Sequence, residues 1–229
     1  MTVAQGTSSG VVHDGVPPPL AVRLPLWVKA VIVLCCAIQF LTLGADLLGY
    51  PVVRQALVIL GGFWSPVFWA GHGVFPGHLP LIFVTYGFLH GGLLHLAMNM
   101  LSLVALAREL NRLIGPGRMA LVYAVSQVAA ALLFAVMAPD GGPMVGASGA
   151  IFGLAGALVG YAVVTGWRLR RPLGQLWRAV AVMVVLNVAL TVLMPAIAWE
   201  AHLGGTLAGL VMGGWMALSR TARRRYSNS

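Results

Sequence analysis

Ser148 and His202 are the residues best suited to nucleophilic catalysis. One offers a hydroxyl, and the other a base able to take its proton near neutral pH. Ser148 stands in Gly146-Ala147-Ser148-Gly149, directly after a stretch with Pro139, Gly141, Gly142 and Pro143, and it opens an apolar run. An isolated serine at such a place is as readily a helix cap. Small neighbours on both sides, however, leave the hydroxyl accessible and let a substrate backbone approach. The Ser148 N–H, near the positive end of the following helix, can also stabilise an oxyanion. His202 follows Ala201 and precedes Gly204 and Gly205 at the start of another apolar run. Taken alone, it could equally bond a carbonyl among packing glycines. His95 and Asn99 are four residues apart, so a helix carries them on one face. No acid is placed to complete a triad. Glu200 is two residues from His202 and points away around a helix, which favours a Ser–His dyad.

The elements that must hold these groups are membrane-spanning helices. The chain has 229 residues, 59% hydrophobic and 8% charged, whereas a soluble domain carries about 25% charged residues. So few charges cannot build a water-facing surface. A bilayer crossing takes about 20 apolar residues, and six such segments are predicted, over roughly 27–48, 86–107, 119–138, 147–166, 177–196 and 200–218. His90, His95 and Asn99 fall in the second, Gln127 in the third, Ser148 in the fourth, Asn187 in the fifth and His202 in the sixth. Polar groups at membrane depth are costly and so point to function. Gln127 and Asn187 are expected to make interhelical hydrogen bonds. The long connection over 49–85, with Trp64, Trp69, His72, His78 and several prolines, is expected to lie in the membrane interface. Trp27, Trp167, Trp177 and Trp199 lie near span ends and are read as interfacial anchors.

The net charge of +9 follows topology and gives no reason to invoke nucleic acid. Arg23 and Lys29, then Arg108, Arg112 and Arg118, then Arg168, Arg170, Arg171 and Arg178, and finally Arg220 and Arg223 to Arg225 all fall on one side of a six-span chain. Only Arg54 falls on the other. The positive-inside rule then puts both termini in the cytoplasm, and the last basic cluster suits contact with anionic lipid. Residues 1–24, rich in Gly, Ser and Pro, are expected to be a disordered cytoplasmic tail, 25–219 the membrane domain, and 220–229 a basic cytoplasmic tail. The first apolar run lacks an evident small-residue cleavage site, so it reads as a retained helix. Cys35 and Cys36 are adjacent in an apolar run, where a disulfide framework is not indicated.

Glycines recur at four-residue spacing in two segments, Gly149 to Gly153 and Gly156 to Gly160 in the fourth, and Gly205 to Gly209 to Gly213 in the sixth. Such spacing marks close helix packing in membranes. If those faces meet, the short Ser148 side chain can reach His202.

In combination and in this order, a His-x-x-x-Asn helix (His95, Asn99), a Gly-x-Ser-Gly helix start (Gly146, Ser148, Gly149) and an Ala-His-x-x-Gly helix (Ala201, His202, Gly205) resemble the rhomboid family of intramembrane serine proteases. The resemblance covers the second to sixth segments. It implies an all-α, six-transmembrane-helix bundle with a long interfacial first loop, and a Ser148–His202 dyad. It further implies that His95 and Asn99 polarise the scissile carbonyl and that Phe152 stands where an aromatic packs on the catalytic imidazole. His90 matches a frequent family histidine and is read as a packing or water-bonding residue. The Trp-Arg pair often found before the second helix is absent, and Pro80-Leu81-Ile82-Phe83 stands there.

The expected reaction is hydrolysis of peptide bonds in transmembrane protein substrates that contain helix-breaking Gly or Pro, with small side chains near the cut. Membrane lipids are the other expected partner. No cofactor and no metal are expected, although His72 and His78 could bind a metal adventitiously, and the oligomeric state is left open. Compactness and the lack of an organelle-targeting segment favour a bacterial inner membrane. Two rivals remain, a catalytically silent rhomboid-like protein that binds transmembrane helices, and a transporter or metal-ion carrier, for which a bundle without acidic residues makes a poor cation path.

Overall fold

The computed structural model describes residues 23–193 and 197–226, and among these the regular elements are helices. The long ones are α1 (Leu26–Leu47), α5 (Leu93–Ile114), α6 (Pro116–Met137), α7 (Ser148–Arg168), α8 (Gly174–Leu193) and α9 (Trp199–Tyr226). Between α1 and α5 lie α2 (Val52–Gly61), α3 (Ser65–Ala70), α4 (His78–Thr85) and a 3₁₀ turn over Tyr86–Phe88. Five helices, α1, α5, α6, α7 and α9, are long and apolar enough to cross a membrane. The fold is an all-α membrane bundle. α8 occupies the fifth expected segment, whose last residues, 194–196, lie outside the described ones, as does the N-terminal tail up to residue 22.

α1, α6 and α7 start and stop within three residues of their expected bounds, because about 20 apolar residues between polar or Gly/Pro breaks leave little choice of length. The second segment is a correction. It was expected over 86–107, but α5 begins at Leu93, after Gly92 at φ 156°. That backbone, which a glycine adopts without penalty, breaks the apolar run, so His90 lies before the helix. The helix then continues to Ile114, where Gly115 at φ 82° turns the chain directly into Pro116, the first residue of α6.

α7 is the central helix. In its most apolar window 56% of the residues are buried, against 22% for α1. In lipid, helices gain little from burying apolar surface against one another, and close backbone approach supplies the contact instead. A Cβ on Gly205 would run into the Gly149 carbonyl, one on Gly209 into the Gly153 carbonyl, and one on Gly213 into the Ala157 carbonyl. The two four-residue glycine spacings therefore do face each other over three turns of α7 and α9. Gly156 and Gly160 face Thr206 and Leu210 of α9 in the same way. At one end of the bundle Val28, Leu103, Leu110, Met119, Val122, Leu154 and Met216 form a common core.

The connection over 49–85 is a folded layer, not an open loop. His78 is 1% exposed; its Nδ1 accepts from the Val74 N–H at 3.2 Å and its Nε2 lies 2.9 Å from the Leu60 carbonyl. Both ring nitrogens are thus engaged within this layer. Trp69 donates its indole N–H to Ala135 O of α6 (2.9 Å), and Arg54 pairs with Asp46 at 2.7 Å, fastening α2 to the end of α1. A second core joins this layer to the bundle through Phe63, Ile82, Tyr86, Ala130, Phe134, Met144 and Ala201.

Candidate active site

Ser148 is the first residue of α7, so its own N–H is among those that the helix leaves unpaired. Before it, the chain over 138–147 is held on the first connection by backbone hydrogen bonds. Phe63 and Met144 exchange both N–H···O bonds at 2.9 Å, Ser65 N–H donates to Gly141 O at 3.0 Å, and Gly146 N–H donates to Tyr86 O at 2.9 Å. Gly146 sits at φ 126°, a conformation that L side chains rarely adopt. A Cβ there would also fall 2.8 Å from His95 Cε1 and 2.9 Å from His95 Nε2, with Ser148 Oγ at 3.7 Å. Glycine at 146 is thus required twice, by its backbone and by the imidazole against it. The Nε2 edge of His95 and the serine hydroxyl border the same small space.

His202 lies in the first turn of α9, with Nε2 2.9 Å from Ser148 Oγ. That separation is a hydrogen bond between a hydroxyl and an imidazole. It exists because Gly205 and Gly149 let the two helices touch at this level. Gly149 is itself wedged: a Cβ on it would lie 2.5 Å from Ala130 Cβ of α6. Phe152, one α7 turn beyond Ser148, stacks on the His202 ring with centroids 4.3 Å apart and planes 12° from parallel.

His95 is the third residue of α5, and Asn99 follows one turn on. Asn99 is 5% exposed, and its Nδ2 has no hydrogen-bond partner among the described residues. A buried amide donor left open in this way has the capacity to serve an acceptor. His90, 5% exposed, packs against His95 in an edge-to-face arrangement, centroids 5.2 Å apart at 66°. Among the described residues no group of three His, Cys, Asp or Glu could hold a metal ion.

Two residues were not singled out from the sequence. Tyr86, 1% exposed, uses its carbonyl on Gly146 and donates its hydroxyl to Gln127 O at 2.6 Å. Phe63, wholly buried, supplies the pairing with Met144. Their contacts span 41 residues or more and follow no local period, so nothing in the sequence marks them. Gln127 therefore contributes its backbone carbonyl, whereas its side-chain Oε1 is buried without a partner among the described residues. The Asn187 side chain lies outside the described ones.

Comparison with known proteins bears on what this arrangement does. A family model described as "Rhomboid domain" matches residues 80–219. The chain is similar to RHOMBOID-like protein 5 of Arabidopsis thaliana, 35% identical over 126 residues, covering 55% of this chain and 40% of the relative. It is similar to Rhomboid protease GluP of Bacillus subtilis, 32% identical over 121 residues, covering 53% of this chain and 23% of the relative. It is also similar to Inactive rhomboid protein 1 of Drosophila melanogaster, 30% identical over 132 residues, covering 57% of this chain and 9% of the relative. The match thus spans less than half the length of each of these relatives.

Proposed function

This chain belongs to the rhomboid family and is an integral membrane protein, and on that premise we propose that it is an intramembrane serine endopeptidase. It hydrolyses peptide bonds in or near transmembrane segments of other membrane proteins, using Ser148 as nucleophile and His202 as base. The observation that carries this reading is the 2.9 Å contact between His202 Nε2 and Ser148 Oγ. Family membership alone does not, since relatives named as proteases and one named as inactive both match.

In the proposed reaction His202 Nε2 takes the Ser148 proton as Oγ attacks the scissile carbonyl. The negative charge that develops on the carbonyl oxygen is met by the Ser148 N–H at the α7 N-terminus, His95 Nε2 and Asn99 Nδ2. The C–N bond breaks, and the proton on His202 passes to the leaving amine. A water molecule then gives His202 a proton and attacks the acyl carbon, the bond to Ser148 Oγ breaks, and His202 returns the proton to that oxygen, freeing Ser148. Phe152 holds the imidazole in place through both proton transfers. Gly146, Gly149 and Gly205 act by being small, so that the serine, His95 and His202 can come together.

Transmembrane substrates and membrane lipids are the proposed partners. The proposed fold in the membrane is six-spanning, with α8 as the fifth crossing and both termini in the cytoplasm. Thirteen of the fourteen Lys and Arg residues on one side support that orientation. A bacterial inner membrane is the proposed address, on compactness alone; relatives from plants and an insect belong to the same family.

The deciding experiment is cleavage of a model transmembrane substrate by purified protein in liposomes, with Ser148→Ala and His202→Ala compared at matched folding. Cleavage lost in both variants is the expected result. A folded, inactive unmodified protein that still captures transmembrane segments would instead favour the helix-binding alternative.

A further inference from the structure

We propose that the backbone N–H of Gly91 is a positioning group for the reaction, holding His95 in the tautomer that carries its proton on Nε2. The inference rests on the reading of His95 as an oxyanion donor and supplies what that reading needs. A neutral imidazole has one donor and one acceptor nitrogen, and the partner of one nitrogen settles the role of the other. Gly91 N–H lies 3.3 Å from His95 Nδ1. An amide nitrogen can only donate, so Nδ1 accepts and the proton sits on Nε2. Nε2 belongs to the edge of the ring that faces Gly146 and Ser148, where a tetrahedral oxyanion would form. With the proton on Nδ1 instead, His95 would point a lone pair at that developing charge and repel it.

The chain before α5 is arranged so that this N–H is available. Gly91 precedes the helix, which begins at Leu93, so no α5 carbonyl claims its donor. Gly92, the residue between Gly91 and the helix, stands at φ 156°. The His90 edge contact with His95 limits rotation of the ring. The Gly91-Gly92 pair that delays the start of the expected second span thus also prepares its first functional side chain.

The test reads the tautomer directly. Protein labelled with ¹⁵N-histidine and held in lipid is examined by NMR, with His95 assigned by the signals lost in His95→Gln. The expected result is a single form with Nε2 protonated and Nδ1 bare. Gly91→Pro deletes the N–H and is expected to lower kcat about tenfold or more, with KM little changed and with the single tautomer lost. Gly91→Ala is the conservative variant. It keeps the N–H, and its Cβ would stand 3.7 Å from His95 Nδ1, an ordinary contact, so tautomer and most of the rate should be retained. Protonation on Nδ1 in the unmodified protein overturns the proposal, as does a Gly91→Ala protein that loses the Nε2–H form. If Gly91→Pro does not fold, those two spectra still decide. They also read out in a protein that cleaves nothing, so failure of this proposal is separable from failure of the protease reading.

Discussion

Phe152 and His202 lie ring on ring, 4.3 Å apart and 12° from parallel, although 50 positions and one further helix separate them in the chain. The stack covers one face of the imidazole and leaves its Nε2 edge on Ser148. Aromatic contacts of this kind contribute about 0.5–1.5 kcal/mol beyond the area they bury. Removing the ring by Phe152→Ala should therefore lower kcat about 2- to 12-fold if the whole contact serves to hold His202. Initial rates on a transmembrane substrate, at matched helix content, check this. An unchanged rate would mean that the Phe152 stack does not hold His202 for the reaction.

His95 and Asn99 should separate from Ser148 in the size of their effects. Each is proposed to donate one hydrogen bond to the oxyanion, and loss of one such donor typically costs about 10² to 10³ in kcat. His95→Ala and Asn99→Ala are expected in that range, with Ser148→Ala lower still. Because Asn99 Nδ2 has no partner among the described residues, its removal strands no described acceptor, and the Asn99→Ala thermal midpoint should stay close to that of the unmodified protein. Full activity in Asn99→Ala would remove this residue from the proposed oxyanion site.

The contact between α7 and α9 gives a prediction about stability that does not depend on catalysis. A Cβ at Gly209 would meet the Gly153 carbonyl, while one at Gly214, in the same helix, would meet Val164 Cγ2 at 3.6 Å and the Gly160 carbonyl oxygen at 3.9 Å, both ordinary contacts. Gly209→Ala should destabilise the bundle by about 1–3 kcal/mol, the usual cost of overfilling a packed site. Gly214→Ala should stay within about 0.5 kcal/mol. Unfolding in detergent followed by circular dichroism distinguishes the two. Equal midpoints would show that α7 and α9 can separate at little cost.

Much of this protein could be read from its sequence because the bilayer restricts what a chain can do. A crossing must be about 20 apolar residues long and must satisfy its backbone internally, so α1, α6 and α7 stand within three residues of their expected bounds. Helical period alone puts His95 and Asn99 on one face. The small residues around Ser148, and the two sets of glycines four apart, are local patterns visible without coordinates. Other features depended on residues far apart in the chain. The sequence could pose the meeting of the glycines of α7 with Gly205, Gly209 and Gly213 of α9 only as a condition, yet on it depends the approach of His202 to Ser148. Gly92 delays the start of the second spanning helix in a way that hydropathy does not register. Tyr86, His78 and Phe63 hold the serine loop and the first connection through backbone groups whose partners follow no period. The physical reason is that span length is a contract between each segment and the lipid, whereas the site is set by the register between segments, which arises only when small residues and loop hydrogen bonds from distant parts of the chain come into contact.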